Sequence, residues 1–339
     1  MPKGVKMENN FATITAQDGG ELFGLMKPIY EQFSKSEVPS VVQGCAGLEE
    51  FVGAATAKTG ILNCSVEINA NIQFPSNNKV LVAYTGGKDS TAEAIRLLNA
   101  EYEVHLLFIK GLNKAYPKEL DGAAKIAEIL GCKMHTTEVK ITGKNWHPDN
   151  PVKNQLILAL MTDWGIKNGF GKFASGIINV PCANYEYNWS DSLQLMETFK
   201  SFMRKSFPGW TYIDTSVTHE AENLVEIIKH KRGEEIWEAK SSCVGAYRFR
   251  NVWRQKNEEK FGIKLTENQC GVCYKCAYEY VVRCAFTGNV TSPAYLKKCV
   301  GILRGEKAQT YDKTTYTSLI DWTLATFGEQ VGNMVLKIL

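Results

Sequence analysis

Between Lys79 and Ile178 the chain alternates short apolar runs with amphipathic ones, and this order constrains the fold more than any other feature. "KVLVAY" is apolar and short, "STAEAIRLLNAE" has helical spacing, and "YEVHLLFIK" is strand-like again. "KELDGAAKIAEILG" reads as a second helix closed by Gly131 and "KMHTTEVKI" as a third strand, while "NQLILALMTDWGIKNG" and "KFASGII" continue the series. Strands separated by helices of this length run parallel, joined by crossovers. The expected fold class is therefore α/β, a doubly wound parallel sheet.

Two further regions flank this core. Residues 1–75 read as an N-terminal appendage with helices in "ELFGLMKPIYEQF" and "GLEEFVGAATAKTG", then an alternating strand, "NCSVEINANIQF", ended by "PSNN". Residues 76–240 read as the α/β core, which closes on the helical "AENLVEIIKHKRG". Residues 241–339 form a cysteine-rich and helical C-terminal region ending in "SLIDWTLATFGEQVGNMVLKIL".

A net charge of +3 over 339 residues, without a run of like charges, argues against a general nucleic-acid or membrane-surface binder. The first twenty residues lack the apolar run of a secretory leader, and no later stretch has the length of a spanning helix; a cytoplasmic protein is expected. In that compartment ten cysteines point to metal binding, catalysis or burial rather than disulfides.

The stretch "YTGGKDST", residues 84–91, lies between the first core strand and its helix, where open α/β sheets bind ligands. Gly86 and Gly87 allow backbone amides to approach an anion closely, and the positive end of the following helix points to the same place. Thr85, Ser90 and Thr91 add hydroxyls and Lys88 a point charge. A Walker A loop is excluded because Val82 and Asp89 stand where that motif needs a glycine and a hydroxyl residue.

Cys270, Cys273 and Cys276 recur at two-residue intervals, with Cys243 upstream, a pattern suited to a closed four-thiolate zinc site. Bacterial ferredoxins share the opening spacing but continue with a further cysteine and a proline, where this chain has Tyr280 and Val281. Cys284 is an alternative fourth ligand. The remaining cysteines, 45, 64, 132, 182 and 299, read as core or surface residues.

The loop resembles the PP-loop signature SGGxDS of the ATP pyrophosphatase superfamily, with Thr85 in place of the first serine. Joined to Cys243, "CGVCYKC" and the Ala-Phe pair that follows, it resembles the 7-cyano-7-deazaguanine synthase family over roughly residues 79–290. That resemblance implies an ATP-dependent carbon–nitrogen ligase. Its carboxylate substrate is 7-carboxy-7-deazaguanine, the nitrogen comes from ammonia, the products include AMP and pyrophosphate, and the pathway is that of queuosine.

It also implies roles for particular residues. Thr85, Gly86, Gly87, Lys88, Asp89, Ser90 and Thr91 would hold the phosphates of ATP, and Asp89 would help to place Mg2+. "NPVKNQL" is similar to the family's PxRN segment, with Lys153 for arginine and Asn154 retained; Lys153 is then catalytic with Lys88 and Asp89. Asp191 in "NWSDSLQLMETF" would meet the deazaguanine, and Cys243, Cys270, Cys273 and Cys276 would hold Zn2+. Each local pattern also has a purely structural reading: a glycine turn with Asp89 or Ser90 as helix cap, a solvated Lys153, and an N-cap at Asp191.

Two departures stand out. The family's LTK stretch should lie near "DTSVTHEAENLVEII", yet no lysine occurs there before Lys229. The extra terminal regions also suggest a protein partner, and a homodimer is compatible with them. Transfer of the activated deazaguanine to a protein amine, as in antiphage defence relatives of the synthase, is therefore one alternative. An RNA-modifying PP-loop enzyme and an inactive nucleotide-binding scaffold are the others.

Overall fold

A computed structural model of the chain describes residues 5–8, 11–14, 77–111, 116–139, 153–177, 200–201, 203–204, 209–214, 220–243 and 249–303. The strands are β1 (Val5–Glu8), β2 (Phe11–Ile14), β3 (Lys79–Tyr84), β4 (Glu103–Lys110), β5 (Lys133–Glu138), β6 (Lys172–Ser175) and β7 (Thr211–Tyr212). The helices are α1 (Lys88–Asn99), α2 (Tyr116–Leu130), α3 (Lys153–Lys167), α4 (Glu220–Lys229), α5 (Gly233–Ala239), α6 (Arg250–Phe261), α7 (Tyr274–Thr287) and α8 (Pro293–Leu303).

Two compact units share these elements. The first takes in Met1–Ala83, Ala100–Tyr116 and Met134–Ser216, and it contains the sheet. Five parallel strands lie in the order β5-β4-β3-β6-β7. Central β3 carries Val80, Leu81 and Val82, none of them exposed, because a strand covered on both faces needs an unbroken apolar run. Its register sets Val80 opposite Lys172 and Ala83 opposite Ser175 of β6. β5, at the edge, retains half-exposed positions along its length.

The chain moves outward from β3 through β4 to β5 on one side, then returns to add β6 and β7 on the other. The direction of winding thus reverses at β3. Within the same unit, Gly165 of α3 allows the helix to lie close to the sheet. A Cβ there would fall 2.4 Å from Cε1 of Phe173 and 3.0 Å from Cδ2 of Leu81.

The sequence reading anticipated β3, β4, β5 and β6 but not β7, a two-residue strand in which alternation has no room to show. Nor did it anticipate the antiparallel β1–β2 hairpin, where Glu8 pairs with Phe11 across only Asn9 and Asn10. The helices expected in residues 21–33 and 47–60, the strand in 63–74 and the C-terminal helix after 303 lie outside the described residues.

The second unit takes in Tyr84–Asn99, Pro117–Lys133 and Val217–Leu339. Here α1 packs against α4, α4 also meets α7 and α5, and α7 pairs with α8. The α1–α4 seam is partly polar: Arg96 donates to Oδ1 of Asn223 at 2.6 Å, and Asn99 donates to Glu226 at 3.2 Å. Tyr295 of α8 is wholly buried and donates its hydroxyl to the carbonyl of Gly271 at 3.0 Å, tying α8 to the turn that precedes α7.

A buried ion pair crosses this unit. Lys240 Nζ lies 2.6 Å from Oε2 of Glu279, each side chain being 2% exposed. Gln269 donates to the same oxygen at 2.9 Å, and the ammonium stands 4.2 Å from the centre of the Trp237 ring. Removing one partner leaves the other charge buried without compensation. Lys240→Met is accordingly expected to destabilise the unit by about 3–5 kcal/mol. Urea unfolding would read this, and an unchanged midpoint would show that the pair is dispensable.

Candidate functional site

The stretch after β3 turns sharply at Gly86, whose φ of 70° lies in the left-handed region that side chains disfavour. Space makes the same demand: a Cβ on Gly86 would lie 2.8 Å from Cβ and 2.9 Å from Cα of Ala123 on α2. The neighbouring position on α2 is equally tight, since a Cβ on Gly122 would meet the carbonyl of Ala239 at 2.5 Å.

Hydroxyls fix the rest of the turn. Thr85 N–H donates to Oγ of Ser90 at 3.2 Å, Gly87 N–H to Oγ1 of Thr85 at 3.3 Å, and Thr91 N–H to the carbonyl of Gly87 at 3.1 Å. Thr85 is exposed, Gly87 half-buried and Ser90 buried. The result is a short Gly-Gly turn running directly into α1, with hydroxyls and amides gathered at a helix N-terminus, a geometry suited to an anion. Thr91 is fully buried in the first turn of α1.

Lys88 does not extend into solvent. It is 2% exposed, and its Nζ lies 2.9 Å from Oδ2 of Asp89. The other oxygen of Asp89 accepts from Nδ2 of Asn223 at 2.8 Å, and Asn223 in turn accepts from Arg96. Burial disfavours the Asp89 carboxylate, but Lys88, Lys275 and Asn223 together hold its carboxyl below the ordinary carboxylate range. Asn223 comes from the segment where the sequence reading missed an expected lysine. No spacing rule marks an asparagine in a helix, so its contact with the loop becomes visible only in three dimensions.

Four cysteine sulfurs converge in the second unit. Sγ atoms of Cys243, Cys270, Cys273 and Cys276 all lie within 4.8 Å of one another, with Cys243 to Cys273 at 3.8 Å and Cys270 to Cys276 at 3.9 Å. None of the four is in a disulfide. A tetrahedral zinc ion with bonds of about 2.3 Å sets its sulfurs about 3.8 Å apart, so the residues fit that metal.

Backbone amides reinforce the match. Val272 and Cys273 N–H point to the sulfur of Cys270 at 3.4 and 3.3 Å, and Cys276 N–H points to that of Cys273 at 3.5 Å. Cys273 is also the N-cap of α7, and hydrogen bonds, first from Cys243, favour its thiolate. Of the candidate fourth ligands, Cys243 joins the cluster; Cys284 does not.

Cys284, Cys132 and Cys299 behave differently. Burial pushes their thiols up to about 11, about 11 and about 12 respectively. At pH 8 their thiolate fraction is therefore on the order of one in a thousand or less. Iodoacetamide after metal chelation is expected to label Cys273, whose thiolate its neighbours favour, ahead of these three, as read by peptide mass spectrometry. Equal labelling of Cys132 would contradict this assignment.

Two residues that the sequence did not mark touch the loop from the segment before Cys243. Ser241 N–H donates to the carbonyl of Gly86 at 3.2 Å, and Oγ of Ser242 accepts from Lys88 N–H at 3.2 Å. Lys153 and Asn154 begin α3, and their side chains are outside the described residues, as is Asp191. Among the described residues no helix is long and apolar enough to cross a membrane.

A parallel α/β sheet, and a glycine–hydroxyl loop that runs from the end of β3 in sequence into the N-terminus of α1, are the parts of a nucleotide-using enzyme of the PP-loop kind. Similarity to known proteins supports this class. The chain is 29% identical over 171 residues to 7-cyano-7-deazaguanine synthase 1 of Desulfitobacterium hafniense (strain Y51), a match that spans 44% of this chain and 75% of that protein. It is 35% identical over 69 residues to the tRNA-specific 2-thiouridylase MnmA of Alcanivorax borkumensis, covering 18% of this chain and 19% of that protein. No family model matches the chain.

Proposed function

We propose that the protein uses ATP to adenylate the carboxylate of a 7-deazaguanine and passes the activated acyl group to a nitrogen nucleophile. The observation that carries this reading is the Gly86–Gly87 turn between β3 and α1, in a chain similar to a 7-cyano-7-deazaguanine synthase over 75% of that relative.

A carboxylate oxygen attacks the α-phosphorus of ATP, the bond to the bridging oxygen breaks, and pyrophosphate leaves with the electron pair. Nitrogen then attacks the acyl carbon, AMP departs and a proton is lost to solvent. With ammonia the product is an amide. A second ATP activates the amide oxygen, and loss of AMP and a proton gives the nitrile.

No protein nucleophile is needed, so catalysis rests on positioning and on charge held in place before the reaction. Thr85, Gly86, Gly87, Lys88 and Ser90 serve the phosphates, Lys88 and Asp89 also order the start of α1, and Lys153, Asn154 and Asp191 are assigned to the carboxylate substrate. Magnesium bound with the nucleotide supplies charge neutralisation on the leaving pyrophosphate. Zinc held by Cys243, Cys270, Cys273 and Cys276 would have a structural role, four thiolates being enough to fill a tetrahedral site.

Incubation with ATP, 7-carboxy-7-deazaguanine and an ammonium salt tests the proposal. Stoichiometric pyrophosphate with free nitrile is the expected result, and absence of pyrophosphate would end the reading. A second reading, attack by a protein amine, is favoured by the extent of this chain outside the match to the synthase. It predicts a deazaguanine-sized mass increase on a polypeptide in place of the nitrile.

A further inference from the structure

The extended segment of residues 240–243 connects the cysteine cluster to the glycine loop at consecutive positions. Lys240 is fixed by its buried pair with Glu279. Ser241 holds the Gly86 carbonyl through its main-chain N–H, and Ser242 holds the Lys88 N–H through its hydroxyl. Cys243 then enters the cluster, its own carbonyl fixed by Arg250 at 3.2 Å. The contacts are local and directional, and they fall on both sides of Gly87.

We propose that Ser242 is a positioning residue for the loop, and that the metal at the four cysteines orders the loop through Ser242 and Ser241. Part of this rests on the nucleotide-binding reading above, but the tie itself does not. Metal at the cluster fixes Cys243, and Cys243 is bonded directly to the residue that holds Lys88 N–H. Release of the metal frees that end of the segment, and the loop backbone loses the fixed partners of one carbonyl, that of Gly86, and one N–H, that of Lys88. Nucleotide affinity then follows metal occupancy.

The hydroxyl is the discriminating atom. In the full-length protein, Ser242→Ala removes the acceptor and leaves the four ligands, whereas Ser242→Thr keeps it. Hydrogen exchange across residues 84–91, measured without nucleotide, is expected to be several-fold to tenfold faster in the alanine variant, the effect of one neutral hydrogen bond. The threonine variant should return to the parental rate. Metal content by mass spectrometry should stay at about one zinc per chain in both variants, which separates loss of the tie from collapse of the cluster. Chelation of the parent protein should also speed exchange in the loop.

Affinity for a non-hydrolysable ATP analogue should fall by roughly five- to tenfold in Ser242→Ala and recover in Ser242→Thr. Parental exchange rates in Ser242→Ala, or failure of threonine to restore them, would overturn the proposal, as would a loop unaffected by chelation. If the parent fails to bind the analogue while exchange responds as expected, the nucleotide reading falls and the tie stands. If the alanine variant binds the analogue as tightly as the parent, control of affinity by Ser242 falls and the nucleotide reading stands.

Discussion

Cys276→Ser is expected to reduce bound zinc from about one equivalent to near zero and to lower the stability of the helical unit by more than about 5 kcal/mol. Structural zinc bound to small peptides has apparent binding energies of about 10–16 kcal/mol, most of which appears as folding energy because the unfolded chain has no preformed site. Cys276 is a demanding position for this test. It is almost completely buried on α7, the helix that also carries Glu279 and packs against α4 and α8. A hydroxyl there is a poorer ligand and leaves three thiols crowded within 4.8 Å of one another. Elemental analysis with thermal unfolding, with and without chelator, would read both effects. A variant with full zinc and the parental midpoint would show that the cluster does not staple the unit.

Lys88→Met carries the second large effect, on turnover. Pyrophosphate release is expected to fall by about 10²–10³ fold, the loss typical when one preorganised charge or donor is removed from a developing anion. Methionine keeps much of the side-chain volume, so helix α1 retains its packing while the charge disappears. Asp89 then loses the neighbour that lies 2.9 Å away and keeps only Asn223 and the more distant Lys275.

The pH dependence follows from the same pair. In the parent, the Asp89 carboxyl is held below its ordinary value, so its stabilising contribution is present above that value and is lost as pH falls through the depressed one. Removing Lys88 shrinks that contribution and moves its loss to higher pH. A Lys88→Met variant with parental pyrophosphate release would displace Lys88 from the proposed chemistry.

Much of the sheet was legible because β3 and β4 are nearly continuous apolar runs, and Gly131 marked the end of α2 clearly. β7 escaped because two residues carry no period, and α6 because "RNVWRQKNEEKF" has too few apolar positions to show a face. The loop and the cluster were legible for a different reason. Glycine pairs and evenly spaced cysteines are uncommon patterns with a narrow set of uses. Asn223, Ser241 and Ser242 are ordinary polar residues, and what distinguishes them is the distance to Asp89, Gly86 and Lys88, which linear order does not carry.

The close approach of Gly86 to Ala123 has a consequence for variation at residues far from any reacting atom. Clearance between loop and helix is already exhausted at one methyl group, and Gly122 beside it leaves no more room against Ala239. Residues 86, 122 and 123 therefore share one volume constraint across segments distant in sequence. Growth at either α2 position would have to be absorbed by movement of the turn or of the chain leading to Ser241. Drift in this protein is accordingly restricted on a helix that contributes no side chain to the chemistry proposed for it.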